Sequence, residues 1–185
     1  EMCIRDRLQD VPRHYGDYRP GNFAAGFIGP VSASEALATS LNLPAVQLLE
    51  AYGPKRFAGE LRSAGVPIRL PALAEPNLAL ILGGGGSRLE SLVAGYSAFA
   101  RGGMAAKPRL QPSDELRERR LLSPGSAWIT RRILSGQARP DRDPRAYLAQ
   151  RPTLAWKTGT SYGFRDAWAI GVGPRHLIGI WIGRP

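Results

Sequence analysis

Three apolar runs near the carboxyl terminus constrain the fold more than any other feature of this sequence. The runs cover 154–160, 166–172 and 177–182, and Gly173-Pro174-Arg175 separates the last two. Short runs rich in β-branched and aromatic residues, bounded by turn residues, predict strands joined as hairpins. The sequence therefore predicts a three-stranded antiparallel meander at this end of the chain.

Helical signals dominate the chain before these strands. Capping-box patterns open two predicted helices, at Ser32-Ala33-Ser34-Glu35 and at Ser87-Arg88-Leu89-Glu90. Pro44 is expected in the first turn of another helix, because proline disfavours helical geometry at the residue before it. The predicted helices cover 33–39, 44–52, 55–64, 88–101 and 125–134, with a short edge strand within 104–110. Helices followed by an antiparallel meander predict an α+β fold, with helices packed on the sheet.

Composition limits the classes of function. The 185 residues fit one domain, and no apolar run approaches the ~18 residues of a membrane span. The net charge is +10, but the cations are spread along the chain, so we expect no nucleic-acid partner. One cysteine, Cys3, and two distant histidines, His14 and His176, predict neither an internal disulfide nor a metal site. No cofactor is expected.

One lysine stands in an unusual place in the first run of the meander. Lys157 lies in an apolar strand, beside Thr158, Gly159 and Thr160. An apolar strand tolerates a lysine only if its charge has a partner, and a glycine inside a strand suggests a close approach to the backbone. These residues indicate an anionic ligand at this strand. Lys-Thr-Gly is also one of three signatures of the penicillin-recognising serine enzymes.

A second motif of the same enzymes occurs earlier, where Ser40 and Asn42 lie on the predicted connection between two helices. Ser-x-Asn together with Lys-Thr-Gly is far more specific than either alone. With further matching segments, the chain from about residue 10 onward resembles the transpeptidase domain of class A penicillin-binding proteins. The segments are Tyr18-Arg19-Pro20-Gly21-Asn22-Phe23, Gly29-Pro30-Val31-Ser32, the run from Glu35 to Val46, and Leu82-Gly83-Gly84-Gly85.

The resemblance implies the α+β fold shared by these transpeptidases and the serine β-lactamases. It also implies a D-alanyl-D-alanine transpeptidase that cross-links peptidoglycan stem peptides through a serine acyl-enzyme and is inhibited by β-lactams. Such a domain belongs to a bifunctional peptidoglycan synthase, with a glycosyltransferase, at the outer face of the cytoplasmic membrane. We expect contact with the membrane only through an anchor outside this chain.

The resemblance also implies roles for six residues. Ser40 corresponds to the serine that relays a proton to the leaving amine, and Asn42 to the amide that binds the substrate peptide and steadies the catalytic lysine. Lys157 would attract the terminal carboxylate of the substrate and keep the relay polarised. The hydroxyls of Thr158 and Thr160 would hold that carboxylate, and the Thr160 N–H would supply half of an oxyanion hole. Gly159 would let an extended peptide lie against the strand edge.

The family's nucleophile motif, Ser-x-x-Lys, is absent from this sequence. The positions three residues before the lysines Lys55, Lys107 and Lys157 hold Tyr52, Met104 and Leu154. We therefore expect residues 8–185 to be the part of the domain that follows the nucleophile, and residues 1–7 to be a disordered or non-native tail. Such a fragment should be inactive alone and, with apolar surface uncovered, poorly stable.

Other interpretations remain open. A serine β-lactamase shares the fold and motifs, and a non-catalytic binding module could keep the cleft without the serine. Ser40 and Asn42 could merely cap helices, and Lys157 could be an edge-strand charge that discourages aggregation. Asp166 could form a turn or contact substrate. Trp168 and Trp181 are expected in the core.

Overall fold

A computed structural model describes residues 7–23, 26–137 and 154–184. It divides into two compact units, the first formed by Glu1–Gly59 and Leu70–Gly86 and the second by Glu60–Arg69 and Ser87–Pro185. Most of the predicted tail lies outside the described residues, as does the segment 139–152, whose Arg, Asp and Pro residues predict a loop. In the described ranges, no helix combines the length and apolar character needed to cross a membrane.

The first unit begins with a hairpin-like pair of strands that the sequence did not reveal. Strand β1 (Arg7–Asp10) pairs antiparallel with β2 (Gly29–Ser32), so that Leu8 lies opposite the buried Val31. Arg7 is therefore part of a strand, whereas we had assigned it to the tail. The strand is too short for a visible alternation, and its partner lies about twenty residues away.

Three helices follow these strands along the chain. Helix α1 spans Ala33–Ala38, α2 spans Asn42–Tyr52, and α3 (Pro54–Ser63) begins in the first unit and ends in the second. Ser32 caps α1 as predicted, because its Oγ accepts the Glu35 N–H at 3.1 Å. Helix α2 begins two residues before Pro44, and its inner face buries Leu43, Pro44, Val46 and Leu49.

The glycine run at 83–86 forms a tight connection between elements of the chain. A short 3-10 helix, Leu78–Leu82, ends at Gly83, whose φ of 93° is left-handed. The Gly84 N–H donates to the Ala79 carbonyl at 2.8 Å, and a Cβ at Gly84 would lie only 2.8 Å from that oxygen. Close backbone packing therefore accounts for glycine at this position.

The second unit contains a pair of short strands, β3 (Met104–Ala106) and β4 (Glu118–Arg120), and the predicted meander. The strands of the meander pair in the order β5 (Ala155–Thr160), β6 (Asp166–Val172), β7 (Leu177–Gly183), and the helices of the unit are α4 (Leu89–Tyr96) and α5 (Pro124–Ser135). Helix α4 packs on the sheet at Gly179, where a Cβ would collide with Val93 and Leu89. The α+β prediction is confirmed, with helices packed against an antiparallel sheet.

One local prediction in the second unit was wrong. The second capping box does not form, since α4 begins after Arg88 without a side-chain cap and Ser87 instead donates to the Pro67 carbonyl. The edge strand predicted within 104–110 is β3 (Met104–Ala106), and it pairs with β4 (Glu118–Arg120), which the sequence did not reveal. By contrast Ser123-Pro124 is a sequence signal for the start of a helix, and Ser123 caps α5, accepting the Ser126 N–H at 3.1 Å.

Candidate active site

The lysine singled out in the sequence lies on an edge strand of the second unit. Lys157 is in β5, opposite Ile170 of β6, and no described strand pairs with the other edge of β5. Its side chain is half-buried, and its Nζ donates to the Thr158 carbonyl at 2.8 Å. Burial lowers the pKa of the Lys157 ammonium below its ordinary value, because partial desolvation penalises the charged form. The charge is therefore held where an anion would stabilise it.

The residues after Lys157 form an exposed strip along the same strand. Thr158, Gly159 and Thr160 are all exposed. Successive side chains of a strand point to opposite faces, so Lys157 lies on one face of the sheet and the two threonines on the other. A ligand that meets both must therefore lie at the edge of β5 rather than over one face.

Gly159 is not required by the packing of the described residues. A Cβ at this position would lie 3.9 Å from the Cβ of Trp168, which is an ordinary contact. Its φ is also outside the left-handed region, where glycine is favoured. The described residues therefore leave room for a small side chain at position 159.

The turn between β5 and β6 is organised by Asp166. Its carboxylate accepts the Ser161 hydroxyl and the Trp181 indole N–H, each at 2.9 Å, while the Asp166 N–H donates to Ser161 Oγ. These contacts account for Asp166 as a turn residue, one of its two predicted roles. The centroid of the Trp181 ring lies 6.0 Å from that of Trp168, with the two rings tilted by 46°, but Trp181 is 47% exposed, so its assignment to the core was wrong.

In the first unit, Ser40 occupies a strained position between α1 and α2. Its φ is 59°, in the left-handed region that non-glycine residues rarely adopt. The Leu41 N–H donates to the Ala36 carbonyl at 2.9 Å and the Ser40 N–H to the Leu37 carbonyl at 3.4 Å. These two bonds form a Schellman motif, in which glycine is the usual residue at the position of Ser40. The exposed hydroxyl is therefore placed by an unfavourable backbone conformation, a feature found more often at functional sites.

Asn42 is the first residue of α2, whereas the sequence had predicted it on the connection between two helices. Its side-chain Nδ2 donates to the Gly21 carbonyl at 2.6 Å, and its backbone N–H donates to Asn22 Oδ1 at 2.9 Å. Asn22 Nδ2 in turn donates to the buried carboxylate of Asp10 at 2.7 Å. Asn42 is thus held by its hydrogen bonds to Gly21 and Asn22, two adjacent residues of an earlier segment of the same unit.

The described residues contain no cluster of His, Cys, Asp and Glu that could hold a metal ion. The predicted residues form two groups, and each is assembled within its own unit. Lys157, Thr158, Gly159 and Thr160 share one strand edge, while Ser40 and Asn42 flank the start of α2. A hydroxyl and an amide in one group, and an ammonium with two hydroxyls in the other, can relay protons and bind a carboxylate.

Comparison with known proteins places the chain among relatives of one kind. No family model matches the chain. Penicillin-binding protein 1C of Escherichia coli is 65% identical over 178 residues, which cover 96% of this chain and 23% of that protein. The chain belongs to the penicillin-binding protein family. It spans about a quarter of the length of the curated relatives it matches.

Solved structures show the same fold at low sequence identity. Penicillin-binding protein 3 from Mycobacterium tuberculosis matches with a TM-score of 0.75 and 20% identity, over 96% of this chain and 51% of that one. Penicillin-binding protein A from the same organism, solved as an imipenem acyl-enzyme complex, matches with a TM-score of 0.72 and 18% identity, over 96% and 49%. The fold of this chain is therefore the penicillin-binding protein fold that the sequence resemblance implied.

Two residues with no predicted role support Asn42 of the predicted site: Asn22 accepts the Asn42 N–H, and Asp10 accepts the Asn22 side chain. Asn22 lies within a segment that carried the resemblance, and Asp10 opens the stretch 10–29, whose Pro, Gly and Tyr residues predict loop and turn. A buried aspartate cannot be recognised from its neighbours in sequence. Its burial depends on pairing of β1 with β2, which was not predicted.

Proposed function

We propose that this chain is part of a D,D-transpeptidase domain of a bifunctional peptidoglycan synthase, which cross-links stem peptides through a serine acyl-enzyme and is inhibited by β-lactams. The observation that carries the proposal is Lys157-Thr158-Gly159-Thr160 on an exposed sheet edge in a penicillin-binding protein fold. The nucleophilic serine would come from a segment outside these residues. No cofactor is needed for this chemistry, and the domain would act on the outer side of the cytoplasmic membrane.

The strand edge binds the substrate's terminal carboxylate in this proposal. The half-buried Lys157 ammonium lacks full hydration, so a carboxylate beside it restores a favourable environment for the charge. The exposed hydroxyls of Thr158 and Thr160 donate to the same group, and the Thr160 N–H stabilises the developing oxyanion. An extended peptide adds alongside β5, as ligands of exposed sheet edges do.

Ser40 and Asn42 act in the same reaction. The Ser40 hydroxyl can accept and donate a proton at once, which suits transfer to the leaving amine. The Asn42 amide binds the substrate peptide and steadies the lysine that accompanies the nucleophile. The strained backbone at Ser40 supports this role, since helix capping alone would favour glycine at that position.

Fluorescent penicillin tests the proposal on the full-length protein that contains this chain. A covalent label that is released slowly is the expected result for a transpeptidase. Fast turnover of the label would instead identify a β-lactamase, and absence of any label would identify a non-catalytic binding module. The isolated 185-residue chain should form no penicilloyl adduct, and an adduct in its intact mass spectrum would contradict the placement of the nucleophile outside it.

Gly159→Ala separates ligand binding from folding. The added methyl group meets only an ordinary contact with Trp168, so we expect an unchanged midpoint of thermal unfolding. The same methyl group lies on the sheet face that carries Lys157, where it crowds the bound peptide, and an overpacking cost of about 1.4 kcal/mol corresponds to tenfold slower acylation by penicillin. Gly125→Ala, in open space on α5, is the matched control and should acylate at the normal rate. Equal rates for Gly159→Ala and wild type would contradict peptide binding at this edge.

A further inference from the structure

A buried carboxylate supports the predicted active-site amide in the first unit. Asp10 ends β1 and is 0% exposed. Its Oδ1 accepts Asn22 Nδ2 at 2.7 Å, and its Oδ2 accepts the Ile28 N–H at 3.0 Å. Burying a carboxylate is costly unless strong donors satisfy it. Within the described ranges these donors are neutral amides, so the carboxylate holds both of them firmly.

Asp10 determines which way the Asn22 amide points. A carboxylate only accepts hydrogen bonds, so the NH₂ group of Asn22 must face it. The same Nδ2 also donates to the Gly26 carbonyl at 3.1 Å. The Oδ1 of Asn22 is therefore directed to the other side, where it accepts the Asn42 N–H at 2.9 Å.

Asn22 in turn caps the helix that presents Asn42. The first N–H groups of a helix have no partner within the helix, and the side chain of the N-cap residue Leu41 supplies none. Asn22, from an earlier segment, provides the acceptor for the Asn42 N–H. The carbonyl of the neighbouring Gly21 accepts the side-chain Nδ2 of Asn42 at 2.6 Å. Both backbone and side chain of Asn42 are thus fixed by residues 21 and 22. No donor among the described residues reaches Asn42 Oδ1, which is left for a ligand or catalytic group.

We propose that Asp10 and Asn22 are positioning residues, which set the orientation of the Asn42 amide for the acyl-transfer reaction. This inference rests on the proposed function, because Asn42 needs a fixed orientation only if it meets substrate or the catalytic lysine. The hydrogen bonds of this chain all have the same direction: Asn42 donates to Asn22, and Asn22 donates to Asp10. A substitution that reverses this donor–acceptor direction should misplace Asn42 without removing any side-chain volume.

Asp10→Asn in the full-length protein makes this reversal. The substituted amide can accept the Ile28 N–H, but its NH₂ group then faces the NH₂ group of Asn22. Asn22 must rotate its amide, which turns a donor toward the Asn42 N–H. We expect acylation by fluorescent penicillin, per folded molecule, to slow by roughly 10- to 100-fold, the effect of a displacement of about 1 Å.

The exchange variant Asp10→Asn/Asn22→Asp restores the polarity. A carboxylate at position 22 accepts both the NH₂ group at position 10 and the Asn42 N–H. We expect the double variant to acylate faster than Asp10→Asn, although below wild type because the bond to the Gly26 carbonyl is lost. If Asp10→Asn does not fold, Asn22→Ala serves in its place with the same expected 10- to 100-fold loss.

Asp114→Asn is the matched control. Asp114 also accepts two backbone N–H groups, from Leu110 and Gln111, but at an exposed loop, so its variant should acylate normally. A purely structural role of Asp10 would lower the thermal midpoint and leave the rate per folded molecule unchanged. That result, or an exchange variant that folds but recovers no rate, would overturn the positioning role. If fluorescent penicillin does not label the wild type, the proposed function and this inference are both overturned. If it labels the wild type and Asp10→Asn at the same rate, only the inference is overturned.

Discussion

Lys157→Gln in the full-length protein is expected to slow acylation by penicillin by roughly 10- to 150-fold, because a hydrogen bond to a charged group such as the substrate carboxylate contributes about 1.5 to 3 kcal/mol. The variant should nevertheless fold at least as well as wild type at neutral pH. Burial lowers the pKa of the Lys157 ammonium, so the charged form costs folding free energy below that pKa, and this cost disappears as the pH rises to the ordinary lysine value. Acylation kinetics and thermal unfolding of the same preparation measure both effects.

Lys107→Gln is the matched control for the loss of a positive charge. Lys107 belongs to the same unit but is exposed, and it lies on the loop after β3. We expect it to acylate at the normal rate. Equal slowing of both variants would show that net charge, rather than the ammonium in β5, governs the reaction. A large loss of stability in Lys157→Gln would show that the ammonium has a structural role.

Gly103→Ala is expected to be the most damaging single-methyl change in the second unit. Gly103 has a φ of 92°, and a Cβ there would collide with the backbone carbonyl of Leu122. Its own carbonyl accepts the N–H groups of Leu121 and Leu122, at 2.8 and 3.1 Å, so the backbone cannot move away without losing these bonds. Backbone strain and overpacking together should cost about 3 to 5 kcal/mol. Thermal unfolding should shift down by roughly 10 °C.

Gly102→Ala separates strain from collision. Gly102 also has a left-handed φ, of 57°, but a Cβ there meets nothing within 4 Å. We expect this variant to lose only about 1 kcal/mol, the cost of a left-handed non-glycine residue. If the two variants were equally stable, collision with the Leu122 carbonyl would not be the cause of the stability lost in Gly103→Ala.

Features whose causes are local could be predicted from the sequence. Ser32 and Ser123 were recognised as helix caps because the cap and its N–H partner lie three residues apart. The meander was recognised because each strand carries its own pattern and its turns are short. Ser87 shows the limit of such patterns, since its hydroxyl donates to Pro67, twenty residues earlier, instead of capping α4.

Features that depend on distant partners could not be predicted. Strand β1 exists through its register with β2, and the contacts of Asn22 reach 12 residues back to Asp10 and 20 residues forward to Asn42. Alternation along β7 indicates two faces but not which face is covered, and Trp181 was misplaced for that reason. The site residues themselves were found through motif resemblance, and the strained backbone of Ser40 became visible only in the structure.

A double-mutant cycle tests most directly whether the two groups of residues serve one reaction. Acylation rates of the full-length protein are compared for wild type, Ser40→Ala, Lys157→Gln and the double variant. Residues that act as a unit in catalysis are strongly non-additive. We therefore predict that the acylation rate of the double variant is little lower than that of the slower single variant. The interaction energy between Ser40 and Lys157 should then be at least about 0.5 kcal/mol, the lower limit for residues that interact. Fully additive losses, in free energy, would contradict a shared role for Ser40 and Lys157.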